Sequence, residues 1–353
     1  MMTPTERLAA HADIATSLAL LSDHELADLV ESGEPLGTGI GGRSTLIEVD
    51  GRRVFVKRVR LTDVELRPEN VRSTANILRL PAYFHYGVGS PGFGAWRELA
   101  VHTMTTNWVV AGRFAGFPLM YHWRVLPQPP QPLHGRLADV EGAVAYWGGS
   151  PQIRERIEGL RTASACLALF LEYVPYTVHD WFDAQLRTDG ADAACTLVEQ
   201  ELRATTDFLH ERELLHFDAH FHNLLTDGRQ FYLADYGLAL SSRFPLTPQE
   251  RAFFDAHRLY DRCYTATHLV NWLATALYRH GSEEREAFVR DCADGMRPEG
   301  IPRAAADIIV RYAPVATVVN DFYGRLIHES KLTPYPDEAL RGLLQEVGIP
   351  ASR

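Results

Sequence analysis

Hydrophobic positions near the start of the chain recur at helical spacing. Leu18, Leu20, Leu21, Leu26, Leu29 and Val30 form an apolar stripe, and Ser22-Asp-His-Glu25 reads as a capping box, so residues 1–30 predict helix. The period then drops to two. Leu46-Ile-Glu-Val49 alternates, Asp50-Gly51 supplies a tight turn and Val54-Phe-Val-Lys57 returns, so residues 34–60 predict a β-hairpin. Residues 61–94 form a long connection with Pro81, Tyr83, Phe84, Tyr86 and a Gly-Pro cluster, and the aromatic segment 81–97 reads as packing or as a lid over a substrate. Glu65 and Glu69 lie there beside Pro68, in a polar stretch of poor helical periodicity. Ala95 to Met104 reads as helix and residues 117–126 as a strand. Pro127-Gln-Pro-Pro-Gln-Pro132 breaks the chain before a helical insertion over about 137–164. Leu167 to Val174, apolar but for Glu172 and the Tyr173 hydroxyl, reads as a buried strand. From 177 onward the period is mostly helical, with Thr196–Leu209, Asn271–Leu277 and Ala305–Val319 as core helices. A strand-rich half followed by a helix-rich half predicts an α+β fold. Its parts are a helical extension (1–30), a strand-bearing part (31–174) and a helical part (175–353).

Composition narrows the setting. With 353 residues, 46% of them hydrophobic, the chain can build two cored domains. Cys166, Cys195, Cys263 and Cys292 form no C-x-x-C pair, which suits a reducing cytoplasm and argues against structural zinc. Met1 to Ala10 carries Glu6 and Arg7 and lacks the apolar core of a signal peptide, and no stretch reaches the length of a membrane span. A net charge of −10 argues against nucleic acid as a partner and is compatible with a cationic substrate.

The chemistry concentrates in Leu214-Leu-His-Phe-Asp-Ala-His-Phe-His-Asn-Leu-Leu225 and in Leu233-Ala-Asp-Tyr-Gly237. His216, Asp218 and Asn223 fit H-x-D-x-x-x-x-N, and Asp235-Tyr236-Gly237 fits D-F-G with Tyr for Phe. This is the spacing that phosphoryl-transfer enzymes use for a base and two magnesium ligands. A nucleotide triphosphate carries several negative charges that Mg²⁺ must neutralise, and a carboxylate with an amide oxygen suits that ion. A second carboxylate stays free to accept the proton of an attacking hydroxyl. Upstream, Gly37-Thr-Gly39-Ile-Gly-Gly42 is a G-x-G-x-x-G loop between strand-like segments, where glycines admit close approach to phosphates. Lys57 ends a strand fifteen residues after Gly42, as in V-A-I-K, and Glu98 in the following helix is the candidate ion-pair partner. His216, His220 and His222 also invite a zinc reading, but the phosphotransferase loop accounts for the first two without metal.

In this order, from about Leu36 to Leu240, these motifs resemble the protein-kinase-like superfamily, which includes protein kinases and aminoglycoside and choline phosphotransferases. The resemblance implies two lobes, a small antiparallel-sheet lobe and a larger helical one. ATP and Mg²⁺ follow from it as cofactors. Gly37, Gly39, Gly42 and Lys57 would hold phosphates, with Glu98 paired to Lys57. Asn223 and Asp235 would hold metal, and Asp218 would act as the base. Glu172 to Val174 resembles the hinge against which the nucleotide lies. The Gly loop looks like that of a protein kinase, whereas His216-x-Asp218-x-His220-x-x-Asn223 looks like the H-G-D-x-H-x-x-N loop of small-molecule phosphotransferases. Phe217 replaces the arginine that many protein kinases use to grip a phosphorylated activation loop, Ser44 stands where an adenine-packing valine is usual, and no A-P-E follows Gly237. The expected activity is ATP-dependent phosphoryl transfer to a hydroxyl of a small molecule, an antibiotic or other natural product. An atypical serine/threonine protein kinase is the alternative, and a non-catalytic kinase-like binding module the second. Neither the acceptor nor the oligomeric state is legible.

Overall fold

The computed structural model describes residues 3–39 and 42–346. The fold is α+β, and the chain separates into two compact units. The first runs to Val174 and adds Ala234–Ala239 and Phe244–Leu246; the second holds Pro175–Leu233, Leu240–Arg243 and the chain from Thr247.

The first unit is built on a five-stranded antiparallel sheet of order β1-β2-β3-β5-β4. The strands are β1 (Glu34–Gly39), β2 (Gly42–Val49), β3 (Arg52–Leu61), β4 (Met120–Pro127) and β5 (Ala165–Glu172). Asp50-Gly51, both at positive φ (51° and 70°), closes the β2–β3 hairpin. Helices α1 (Pro4–Leu20) and α2 (Asp23–Glu31) precede the sheet, each opened by a capping box, Thr3 with Glu6 and Ser22 with Glu25. Helix α3 (Asp63–Leu66) is one short turn, and α4 (Ala95–Val110) carries Glu98.

Both faces of this sheet are covered. Because side chains alternate along a strand, Val59 and Leu61 of β3 and Leu167, Leu169 and Leu171 of β5 share one face and pack on Trp96 and Leu99 of α4. Lys57 belongs to the same row, so the period of two aims it at α4. The opposite row meets the N-terminal helices, where Arg58 pairs with Glu31 and Arg7 with Glu172. That double cover is why β5 is buried at every position and reads as apolar as far as Leu171.

The stripe expected in α1 needs correction. Leu20 is 81% exposed, and the buried row is Arg7, Ala10, Ile14 and Leu18. Arg7 sits among apolar positions because it serves Glu172. Its Nε and Nη2 donate to that carboxylate at 2.8 and 2.6 Å, and its other hydrogen bonds reach the Ala115 and Phe117 carbonyls.

The connection over 61–94 and the insertion after β4, which holds α5 (Val140–Tyr146) and α6 (Pro151–Thr162), are one module. Leu78, Leu80, Phe84 and Phe93 pack against Leu137, Val144, Trp147 and Ile157 in a core of their own. Glu65 also departs from expectation: its side chain is buried, although Arg67, Pro68 and Glu69 beside it are exposed. The Glu65 carboxylate accepts from Arg156 Nη1 of α6 at 2.8 Å and from the Ala95 N–H at the start of α4 at 2.9 Å. A carboxylate there satisfies an orphan donor and complements the helix dipole.

The second unit is mainly helical: α7 (Val178–Gln185), α8 (Ala191–Glu211), α9 (Pro248–Ala256), α10 (Tyr260–Tyr278), α11 (Ser282–Ala293), α12 (Arg303–His328) and α13 (Asp337–Glu346). Helix α12 buries Ile308, Ile309, Tyr312, Val315, Val319, Phe322 and Leu326 at helical spacing. Two small antiparallel sheets, which periodicity did not predict, join β6 (Tyr176–Thr177) to β8 (Leu224–Thr226) and β9 (Phe231–Leu233), and β7 (Leu214–Leu215) to β10 (Leu240–Ser241). Among the described residues no helix is long and apolar enough to cross a membrane.

Arg7→Ala leaves the Glu172 carboxylate buried with its charge uncompensated. Chemical unfolding should show a loss of about 3–5 kcal/mol, and Arg7→Met with Glu172→Met should recover most of it. An Arg7→Ala loss no larger than that of an exposed arginine would contradict this account.

Candidate functional site

In the first unit three of the expected residues come together. Lys57 Nζ lies 2.7 Å from Glu98 Oε1 and 2.8 Å from Asp235 Oδ1. Lys57 and Glu98 are buried, whereas the Asp235 side chain is 44% exposed. Burial alone would push the Lys57 ammonium down. Asp235 and Glu98 together outweigh it and hold the group above the ordinary lysine value. Burial raises the Glu98 carboxyl, against the pull of Lys57. One ammonium thus serves two carboxylates, and the exposed one is Asp235. Asp235 has φ +62°, a left-handed conformation that Asp tolerates better than most residues, and its Oδ1 also accepts from the Gly237 N–H.

His102, one helical turn beyond Glu98, is a member that spacing did not reveal. Its Nε2 lies 3.9 Å from Glu98 Oε1, and its ring meets the Tyr236 ring edge-on at 4.6 Å. Burial pushes its pKa down to about 3, with Lys57 adding to the shift, so it packs as a neutral imidazole.

The glycine loop is the β1–β2 turn. Gly37 has φ +148° with open space beside it. Gly42 (φ +132°) meets a demand of the sheet itself, since a Cβ there would lie 1.9 Å from the Arg58 carbonyl oxygen. Gly39 pairs with Gly42, and Ile40 and Gly41 lie outside the described residues. The Glu172 carboxylate is occupied by Arg7 and by the Leu119 N–H, and its own N–H donates to the Leu119 carbonyl at 2.8 Å. Val174 is buried just beyond β5.

In the second unit the loop between β7 and β8 holds the other two residues. Asn223 Nδ2 donates to the Asp218 carbonyl at 2.9 Å and to Asp218 Oδ2 at 3.0 Å, which leaves the amide oxygen for a cation. His220 Nε2 lies 3.6 Å from Asp218 Oδ2. The Asp218 N–H donates to His216 Nδ1. Beneath the loop lies Asp261 of α10, which the sequence reading missed because nothing in its spacing marks it. Its carboxylate accepts from the His216 and Phe217 N–H groups at 2.7 and 2.9 Å. Burial pushes it up to about 6, against the pull of those donors. Phe217, at φ +66°, is buried against Phe253, His257 and Tyr260. Asp261 and this ring cluster fix a strained backbone just before Asp218.

Asp235 in the first unit and Asn223 in the second each carry a hard oxygen donor of the kind Mg²⁺ prefers. No group of three or more His, Cys, Asp or Glu among the described residues is arranged to hold a metal by itself. His222 stacks on His179 at 4.2 Å.

Acid should unfold this protein through its buried histidines. Burial depresses His102 and His268 to about 3 and His257 to about 4, from 6.5. Their unfolded forms take protons first, so stability present above 6.5 is lost as pH falls toward those values, by about 1.4 kcal/mol per pH unit for each. Asp261 has the opposite sign: its raised pKa disfavours folding as pH rises through about 6, so acidification relieves it. The depressed histidines, which also include His122, His210 and His222, outweigh the raised carboxyls Asp261, Glu98 and Glu201. Unfolding free energies should therefore fall between about pH 6.5 and pH 5, and His102→Leu should flatten the slope by roughly one histidine's share. A stability that is flat or rising over that range would refute the assignment.

Compared with protein-family models and with curated proteins, the chain matches none.

Proposed function

We propose that this protein is an ATP-dependent phosphotransferase of the protein-kinase-like superfamily that moves the γ-phosphoryl group to a hydroxyl of a small molecule. The observation that carries the reading is Lys57, held at 2.7–2.8 Å by both Glu98 and Asp235, residues far apart in the chain. A buried strand lysine so restrained is a fixed cation for the α and β phosphates. The antiparallel sheet with the Glu98 helix, and the helical unit bearing Asp218 and Asn223, support a two-lobed architecture of that superfamily. Four free, buried cysteines support a reducing, cytoplasmic setting.

Each residue then has a role. Glu98 keeps Lys57 extended toward the phosphates. Asp235 and Asn223 would hold Mg²⁺, which when bound neutralises charge on the β and γ phosphates. Asp218 orients the acceptor hydroxyl and accepts its proton as the phosphoryl group moves. Asp261 positions the backbone that carries Asp218. The segment after Gly237 is short, reaching α9 at Pro248. Phe217 offers no cation to a phosphate. Both features favour a small acceptor over a protein, while the complete G-x-G-x-x-G keeps the protein-kinase alternative in view.

ATP consumption should be measured against aminoglycosides, nucleoside antibiotics and a generic protein substrate. Asp218→Asn should lower turnover by roughly 10²–10⁴-fold, the contribution of a positioned base, with ATP affinity little changed. Asp235→Ala should abolish Mg²⁺-dependent turnover in a folded protein. Full turnover in either variant would remove that residue from its role, and a stimulated protein substrate would favour the alternative. Phosphatase-treated enzyme should lose nothing, since Phe217 stands in place of the catalytic-loop arginine that would bind a phosphate on Ser241, Ser242 or Thr247.

A further inference from the structure

The module formed by the two insertions reaches the segment that carries Asp235. His85 is fully buried, and its Nδ1 lies 2.7 Å from the Leu238 carbonyl oxygen, so that nitrogen carries the proton and donates. Two residues short of the end of this stretch, Gly92 (φ +78°) lies flat on Gly237: a Cβ there would fall 2.3 Å from the Gly237 oxygen. The His85 ring stacks on Phe93 with centroids 3.7 Å apart. The Arg97 guanidinium sits 4.9 Å from the Phe93 ring and 5.4 Å from that of Phe244, while its Nε donates to the Thr74 carbonyl. The stack thus joins the insertion, α4 and two points of the chain beyond Asp235.

We infer that His85 is a positioning residue that holds the Asp235-Tyr236-Gly237 turn in place, and that it thereby sets the affinity of this site for a divalent cation. Asp235 stands at a left-handed φ and at the exposed end of the Lys57 ion set, so its carboxylate keeps its aim only if the peptides after it are fixed. The Leu238 carbonyl lies three residues on, and His85 is the side chain that ties it. A stack of His85, Phe93, Arg97 and Phe244 over that hydrogen bond does permanently what a phosphate with an arginine partner does in a switchable loop. The inference deepens the phosphotransferase reading, and its cation part rests on that reading.

Two measurements test it on the full chain. Hydrogen exchange followed on peptides spanning residues 235–238 needs no ligand. Those amides should be protected in the wild type and should exchange about tenfold faster in His85→Ala, the worth of one buried hydrogen bond. His85→Asn, whose amide N–H can replace Nδ1–H, should restore the protection. Calorimetric binding of a non-hydrolysable ATP analogue should then be titrated with Mg²⁺. Half-saturating Mg²⁺ should rise about tenfold in His85→Ala, return in His85→Asn, and leave metal-free nucleotide binding unchanged. Should His85→Ala fail to fold, Gly92→Ala, which pushes on Gly237 directly, should give the same Mg²⁺ shift. Fast exchange at 235–238 in the wild type, or Ala and Asn variants that behave alike, would overturn the inference. A wild type that binds no nucleotide would instead sink the phosphotransferase reading, while the exchange result still decides whether His85 orders the turn.

Discussion

The first unit depends on one buried ammonium. Lys57 pays for its desolvation only because two carboxylates reach it, and each is placed by a different device. The alternation of β3 aims Lys57 at α4, and the helical geometry of α4 aims Glu98 back. Asp235 arrives from far along the chain on a left-handed turn. Removing either carboxylate would leave a charge in a place that water does not reach, so the sheet, the helix and the turn hold their relative positions or lose the ion set together.

That dependence extends to the insertions. Helix α4 begins on Glu65, which Arg156 holds from α6, and the turn after Asp235 is held by His85 and Gly92. Both supports come from segments that read as additions to the fold. Their shared core, centred on Phe84 and Trp147, turns them into a brace for the two carboxylates. On the other face of the sheet Arg7 does the same for the end of β5, reaching Glu172 across 165 residues of sequence.

Residues whose partners are local, or whose type is tied to a motif, were legible. The capping box at Ser22, the Asp50-Gly51 turn, the helix around Glu98 and the run of β5 follow from short-range pattern. The juxtaposition of Lys57 with Glu98 rather than with Glu65 or Glu69 followed from the lysine motif together with helical periodicity. Arg7, Glu65, His102 and Asp261 were not legible as site supports. Each is a polar residue buried by tertiary contact, and outside the folded chain each looks like an ordinary surface group. Gly42 shows the converse. Its place in a glycine motif suggests phosphate, yet the described geometry already requires a glycine beside the Arg58 carbonyl. The small sheets of the second unit escaped notice because strands of two or three residues are too short for a period.

The central claim is that the Lys57–Glu98–Asp235 set receives the phosphates and metal of a nucleotide. The most direct measurement is crystallography or cryo-microscopy of the protein with Mn²⁺ and a non-hydrolysable ATP analogue, locating the ion by its anomalous signal or density. The account predicts manganese bound to an Asp235 oxygen, with Lys57 Nζ in hydrogen-bond contact with an α- or β-phosphate oxygen and still paired with Glu98. A nucleotide seated elsewhere, or an ion that leaves Asp235 on Lys57 and binds neither, would contradict it.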